Sequence, residues 1–147
     1  MSLADWQNKG WVQRHETSAQ EIADLLGIVE RDIESARLDV LDPDWRLNIA
    51  YNACLQCATE ALAAEGYRAA RIAHHVRVIQ SLEFTLGIEA ESIDLLDTFR
   101  RTRHISDYER AGEVSAQEVD ECLDLATELQ VKLLNWLNKE HPELLQQ

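Results

Sequence analysis

Apolar residues recur along the chain at the three- and four-residue spacing of amphipathic helices, and alternating polar–apolar segments typical of strands are absent. Each apolar series would place its side chains on one helix face. Start and stop signals divide the pattern into about five helices. We expect them over residues 18–38, 43–65, 68–86 and 90–104, and from Ser115 to just before Pro142.

The predicted helix ends coincide with residues that cap helices. Ser18-Ala19-Gln20-Glu21 and Ser115-Ala116-Gln117-Glu118 have the capping-box pattern, in which the serine side chain and the glutamate satisfy free backbone N–H groups. Asp42-Pro43 is a second kind of start, with proline at the first helical position. Gly66 and Gly87 are predicted stops because glycine adopts the left-handed conformation that ends many helices.

Together these signals predict an all-α protein, an antiparallel up-and-down bundle of about five helices joined by short loops. We expect an irregular N-terminal arm over residues 1–16, anchored by Trp6 and Trp11. A single helical-bundle domain over 17–140 and a C-terminal tail over 141–147 would follow. The second helix is expected to pack closely, because one of its faces carries mostly small residues: Ala50, Ala53, Cys54, Cys57, Ala58, Ala61 and Leu62.

Charge distinguishes the middle of the chain from its two ends. The whole sequence has a formal net charge of −13, but residues 68–110 hold seven basic and seven acidic residues. A surface that meets an anion would therefore come from this middle third. The apolar runs are too short to span a bilayer, and the N-terminus lacks the pattern of a signal peptide. An odd count of three cysteines suits a reducing compartment, so a soluble, cytoplasmic protein is expected.

The strongest chemical signal lies at the end of the fourth predicted helix. Arg100, Arg103 and His104 are spaced to share a helix face, and Arg101 and Tyr108 lie beside them. Arginine presents a planar fork of donors to phosphate, and histidine exchanges protons near neutral pH. These groups suit metal-free RNA cleavage. The alternative is structural: the cations would offset the helix dipole or pair with nearby acidic residues such as Asp97, Asp107 and Glu109.

A second basic group lies in the third predicted helix. Arg71, His74 and His75 would share one face, with Arg68 one turn earlier. One of the two histidines could join the arginine face as a further phosphate-binding or proton-transferring group. The alternative is a half-exposed polar edge of a bundle helix.

Metal and cofactor chemistry are not expected. Cys54 and Cys57 form a lone CxxC inside a helix, where they suit packing better than redox chemistry or zinc binding. A carboxylate-bridged di-iron site would need Glu-x-x-His pairs, and the sequence has none.

Several segments, in order along the chain, resemble the HEPN superfamily of small helical proteins. They cover most of the chain from about residue 18 onward. The matching segments are Ala50-Tyr51-Asn52-Ala53, Glu65-Gly66-Tyr67-Arg68, His74-His75, Phe99-Arg100-Arg101-Thr102-Arg103-His104, Asp107-Tyr108, Trp136-Leu137 and His141-Pro142.

The resemblance implies an up-and-down helical bundle that forms a homodimer with the signature residues near the dimer cleft. Many members are metal-independent endoribonucleases, often toxins of toxin–antitoxin pairs, and a small nucleotidyltransferase-like protein is a frequent partner and antitoxin. The signature is an arginine and a polar residue, then a histidine four to six residues after the arginine. Arg103 and His104 fit its beginning, whereas Tyr108 stands where the histidine is expected.

Two functional hypotheses follow. In the first, the protein is an RNA- or nucleotide-directed component of a toxin–antitoxin-type pair, an endoribonuclease if its altered motif remains active. Arg103, His104 and Tyr108 would form the catalytic group. Phosphate would be bound by six further residues: Arg100, Arg101, Arg68, Arg71, His74 and His75. In the second hypothesis, the protein is a non-catalytic interaction module that binds a nucleotidyltransferase.

Overall fold

The computed structural model describes residues 1–108 and 114–146, and for residues 104–108 it describes the backbone alone. This part of the chain is mostly helical, which confirms the all-α class. Its elements are α1 (Leu3–Asn8), β1 (Val12–Arg14), α2 (Ala19–Ala36), α3 (Pro43–Ala64), β2 (Tyr67–Ala69), α4 (His74–Gln80), α5 (Ala90–Tyr108) and α6 (Ala116–Glu140), with 3₁₀ turns at Ser81–Glu83 and Pro142–Leu145.

The side-chain caps that the sequence predicts are present at the starts of α2 and α6, whereas Asp42 before α3 makes no side-chain cap hydrogen bond. The Ser18 side chain accepts a hydrogen bond from the backbone N–H of Glu21. Ser115 and Glu118 form the complete reciprocal capping box. Pro43 begins α3 directly after Asp42. These three helices therefore begin within a residue or two of their predicted starts, because a capping serine or a proline at the first helical position acts on neighbouring residues.

Helix α3 lies at the centre of the structure and packs against α2, α4, α5 and α6. Every residue of its predicted small face is buried. Small side chains allow neighbouring backbones to approach on several sides, so α3 is buried around most of its circumference. A partly buried polar contact also joins it to α2, where the Asn52 side-chain amide donates to Asp32 Oδ2 at 2.7 Å.

The N-terminal arm is more regular than expected. It contains the short helix α1 and the strand β1, which pairs antiparallel with β2 in the register Val12–Ala69 and Arg14–Tyr67. The buried Trp6 ring meets Phe84 edge-on, with ring centroids 5.2 Å apart. The predicted anchoring by Trp6 is thus observed, but the prediction of an irregular segment over 1–16 was wrong.

The third predicted helix, over 68–86, also needs correction. Residues 67–69 form the strand β2, and the chain then bends, with Ala73 at a φ of 55° in the left-handed region. Helix α4 begins only at His74. Pairing with β1 satisfies the backbone of β2, and this long-range interaction overrides local helical spacing. Arg68 and Arg71 therefore do not share a helix face with His74 and His75.

The remaining elements follow the sequence closely. Helix α5 begins at Ala90 as predicted but continues to Tyr108 rather than ending near residue 104. The predicted tail contains the 3₁₀ turn that begins at Pro142, and His141 contacts Glu65 Oε1 at 3.2 Å. Within residues 1–108 and 114–146, no helix is long and apolar enough to cross a membrane.

Candidate anion-binding site

Helices α3, α4 and α5 meet at a cluster built around the ring of Tyr51. The Arg103 guanidinium, from α5, lies 5.2 Å from the centroid of this ring. The His75 ring, from the first turn of α4, lies 6.3 Å from it. The His74 ring is 6.0 Å from that of His75. The fold thus brings the predicted Arg103 and the predicted histidines together from separate helices; we call Tyr51, His75 and Arg103 the Tyr51 cluster.

Tyr51 is the aromatic platform of this cluster. Its side chain is fully buried, and its hydroxyl oxygen has no hydrogen-bond partner among the described residues. Burial raises the pKa of Tyr51 well above its usual value, although Arg103 and Arg100 act in the opposite direction. The phenol is therefore neutral at physiological pH. Its ring face attracts the Arg103 guanidinium through a cation–π interaction.

His75 is half-buried beside this platform. Its pKa lies below the ordinary value, first because partial burial disfavours the imidazolium and then because Arg103, His74 and Arg100 repel it. The neutral ring is thus favoured at neutral pH. A neutral imidazole can accept a proton, and an adjacent guanidinium can bind a phosphate oxygen.

Arg100 and Arg101 are held by an acidic neighbour. Arg100 Nε lies 2.9 Å from Asp97 Oδ1, and Arg101 Nε lies 3.4 Å from Asp97 Oδ2. This is the pairing that the structural alternative anticipated for Asp97. One carboxylate shared by two guanidinium groups leaves excess positive charge beside the Tyr51 cluster. The contact with Asp97 also keeps the Arg100 side chain against its own helix, α5.

His104 and Tyr108 lie in the last turns of α5, four residues apart. Their side chains fall outside the described part of the structure. The catalytic role predicted for them therefore remains a sequence prediction. The interpretation that Asp107 and Glu109 pair with the arginines lies outside the described side chains as well.

The other predicted phosphate-binding residues occupy a different place. Arg68, on β2, and Arg71, in the bend before α4, line a cavity beside the N-terminal arm, and His74 lines it too. His74 is thus adjacent to both the cavity and the Tyr51 cluster. The sequence had placed these residues on one helix and did not indicate the contribution of the arm, which adds Lys9 and Trp11 to the same cavity.

Tyr51 is the residue of the cluster that sequence reasoning assigned no role. The one available signal was its position in the Ala50-Tyr51-Asn52-Ala53 segment that resembles HEPN proteins. A tyrosine on an apolar helix face usually indicates a core residue, and Tyr51 is indeed in the core. Its proximity to Arg103 depends on how α5 packs, which local spacing does not reveal.

Cysteine and metal chemistry find little support. Cys54, Cys57 and Cys122 are buried thiols. The hydrogen bond with Cys122 and then burial raise the pKa of Cys54 well above the usual value, and burial raises that of Cys57. Such thiols are poor nucleophiles and suit packing. Among the described residues, no group of three or more His, Cys, Asp or Glu side chains is arranged to hold a metal ion.

No family model matches the chain, and neither the curated proteins nor the solved structures give a significant match. The fold and the side chains therefore define a class: a mostly helical protein with cationic residues gathered where α4 meets α3, α5 and the N-terminal arm.

Proposed function

We propose that this protein is a HEPN-like, RNA-directed module that binds RNA phosphate at the Tyr51 cluster. The observation that carries the proposal is the Arg103 guanidinium over the Tyr51 ring, at 5.2 Å from its centroid, with the half-buried His75 ring 6.3 Å from the same ring. The proposal takes its family assignment from the sequence resemblance. In the same proposal the protein is an up-and-down bundle that acts as a homodimer in a toxin–antitoxin-type pair.

The chemistry of the cluster is suited to cleavage without a metal ion. In that reaction a ribose 2′-hydroxyl attacks the adjacent phosphorus, and a base takes the hydroxyl proton. The bond from phosphorus to the 5′-oxygen breaks, and this oxygen leaves with a proton from an acid. The products are a 2′,3′-cyclic phosphate and a free 5′-hydroxyl. A neutral His75 is suited to the role of base, and Arg103 to stabilising the phosphorane charge.

His104 and Tyr108 remain the sequence-based candidates for the group that protonates the leaving oxygen. Tyrosine has an ordinary pKa near 10, so Tyr108 would suit proton donation better than proton removal at neutral pH. Replacing Tyr108 by phenylalanine would remove the hydroxyl and retain the ring.

The test compares wild type with Arg103→Ala in RNA binding and in cleavage without metal. The matched control is Arg37→Ala, the same change at an exposed arginine at the end of α2. We expect Arg103→Ala to weaken binding to a single-stranded RNA by about tenfold, or about 1.4 kcal/mol. Arg37→Ala should bind like wild type. Equal binding by wild type and Arg103→Ala would refute the site.

Cleavage separates two forms of the proposal. If wild type cleaves RNA and Arg103→Ala and His75→Ala do not, the Tyr51 cluster is catalytic. If wild type binds RNA in an Arg103-dependent manner and cleaves none, the protein is a binding module of the same fold. Circular dichroism should first show that Arg103→Ala and His75→Ala have the same helicity as wild type.

The second candidate function is a protein–protein interaction module that binds a nucleotidyltransferase-like partner. It is favoured by exposed apolar side chains around the link between α2 and α3: Leu38, Val40 and Trp45, of which Val40 is 89% and Trp45 63% exposed. Exposed apolar groups of this size often mark interaction sites. Co-purification with such a partner should be lost in Trp45→Ala and kept in Val131→Ala, an exposed apolar position on α6. Equal capture by both variants would argue against this surface.

A further inference from the structure

A cavity lies between the N-terminal arm and the start of α4. Its volume is about 780 Å³, and strand β2 forms part of its wall. Four cationic side chains line it, namely Lys9, Arg68, Arg71 and Arg77, together with His74. We call this the arm cavity. It is separate from the Tyr51 cluster, to which it is joined through His74.

The charge of the arm cavity is opposite to that of the protein. No acidic residue of the described structure lines it, although the chain as a whole carries a formal net charge of −13. Elsewhere in the described structure, Arg31, Arg100, Arg101 and Lys132 each pair with a carboxylate. Cations that face one cavity repel one another, and a bound anion would relieve this repulsion.

The cations of the arm cavity are held by neutral groups. Arg68 donates from Nε and Nη2 to the Gln13 side-chain oxygen at 3.3 and 3.2 Å. Arg77 donates to Gln80 Oε1 at 3.1 Å, and its guanidinium lies 3.5 Å from the centroid of the Trp11 ring. These contacts orient the guanidinium groups. Because the partners are neutral, they do not offset the positive charge of the two arginines. A site whose cations are oriented beforehand loses less entropy when it binds an anion.

Arg71 differs from the other arginines of the cavity. It is exposed in the bend between β2 and α4, and no residue of the described structure forms a hydrogen bond or ion pair with it. Its side chain is thus free to move onto a ligand. The cavity combines two oriented arginines with one arginine that can close over the bound group.

The volume of the arm cavity and the apolar residues in its wall indicate which class of anion would fit. The volume exceeds what one phosphate needs and lies within the range of small-molecule sites. Trp11, Ala69, Ala70 and Ile72 add apolar surface, and Ile72 is 89% exposed. Apolar surface next to arginines suits a group that is part phosphate and part planar base.

We propose that the arm cavity binds a nucleoside carrying a terminal phosphate, with Arg68, Arg71 and Arg77 contacting the phosphate. The same chemistry has two sources: a free nucleotide, and the phosphorylated 5′ end of an RNA. This goes beyond the proposed function of the Tyr51 cluster. Because Arg103 is not in the wall of the cavity, either proposal can fail without the other.

Calorimetric titration at low ionic strength tests the proposal with AMP, adenosine and two RNA oligonucleotides of one sequence, one 5′-phosphorylated and one with a 5′-hydroxyl. We expect the phosphorylated probe of at least one pair to bind at least about tenfold more tightly than its unphosphorylated match. Tight AMP binding assigns the site to free nucleotides. A 5′-phosphate preference between the RNAs with weak AMP binding assigns it to RNA ends.

Variants locate the binding. Arg71→Ala and Arg68→Ala should each weaken binding of the preferred probe about tenfold, and Arg71→Glu should abolish it. Arg37→Ala should bind as wild type does, because Arg37 is an exposed arginine at the end of α2 and does not line the cavity. Arg71 is exposed and forms no hydrogen bond or ion pair in the described structure, so its replacement should not disturb folding. The proposal is overturned if neither pair shows a phosphate preference, or if Arg71→Glu binds like wild type.

Discussion

Glu60 is a fully buried glutamate whose carboxyl group lacks polar partners in the described structure. Its side chain lies inside α3 with no exposed surface, and neither carboxyl oxygen has a hydrogen-bond partner among the described residues. Burial raises its pKa to about 8 from an ordinary value of 4.5. At neutral pH the folded protein therefore keeps this carboxyl mostly protonated, whereas the unfolded chain ionises it.

This difference predicts a stability that falls as pH rises. A group whose pKa is higher in the folded protein than in the unfolded chain contributes to the free energy of unfolding. This contribution is complete below the unfolded pKa and is lost as the pH rises to the folded pKa, here from about pH 4.5 to about pH 8. Wild type should lose a few kcal/mol of unfolding free energy over this interval. In Glu60→Gln, which cannot ionise, the decline should be much smaller. Thermal unfolding followed by circular dichroism at several pH values measures both.

Glu34→Gln is the control for this experiment, since Glu34 is an exposed glutamate on α2. Its pH profile should match that of wild type. The interpretation of Glu60 would be wrong if Glu60→Gln kept the full pH dependence of wild type.

At the scale of elements, aromatic contacts join the N-terminal arm to the rest of the structure, in addition to the pairing of β1 with β2. Trp6 meets both Trp11 and Phe84 edge-on, at centroid distances of 5.7 and 5.2 Å. The Arg77 guanidinium, from α4, lies 3.5 Å from the Trp11 centroid and 5.7 Å from the Trp6 centroid. The arm completes the wall of the arm cavity, so its docking also positions two of the cavity's cations, Lys9 and Arg77.

Removing the Trp6 ring should therefore loosen the arm more than the rest of the fold. Replacement of a buried tryptophan by alanine costs about 3–5 kcal/mol. In Trp6→Ala we expect faster amide exchange in β1 and β2, because their pairing depends on the docked arm, and continued protection in α3. Hydrogen exchange with mass spectrometry resolves these segments.

The matched control is Trp45→Ala, because Trp45 is 63% exposed. It should leave exchange in β1 and β2 unchanged. Equal loss of protection in α3 and in the two strands of Trp6→Ala would show that the arm is part of one cooperative unit.

At the scale of the whole molecule, the acidic exterior and the local cationic groups act against each other. A net charge of −13 repels RNA at long range, and the arginines around α4 attract it at short range. Screening reaches about 10 Å at 0.1 M salt, so both effects depend on ionic strength. Contacts with phosphate also release counterions, which makes RNA binding weaker at higher salt.

A salt titration of RNA affinity gives the number of phosphate contacts. For single-stranded RNA the logarithm of the binding constant should fall by about 0.7 per phosphate contact for each tenfold increase in salt. Arg103→Ala should reduce this slope by about 0.7 and Arg37→Ala should not change it. Fluorescence anisotropy with a labelled oligonucleotide measures the slopes. An unchanged slope in Arg103→Ala would mean that Arg103 contacts no phosphate.

The sequence alone determined the features that depend on neighbouring residues. Capping by Ser18 and Ser115, proline at the start of α3 and the small face of α3 each act within a few residues, and the structure confirms them. The same local spacing also identified the arginine-rich segment of α5 as the chemically distinctive part.

Only the tertiary structure decided where these groups lie relative to one another. Pairing of β2 with β1 placed Arg68 on a strand rather than on the helix of His74, and both residues line the arm cavity from different elements, because ladder hydrogen bonds between distant residues outweigh local helical preference. Packing of α5 on α3 placed Arg103 over Tyr51, and the burial of Glu60 raised its pKa. Burial and proximity depend on contacts between residues far apart in the chain, which the periodicity of one segment cannot specify.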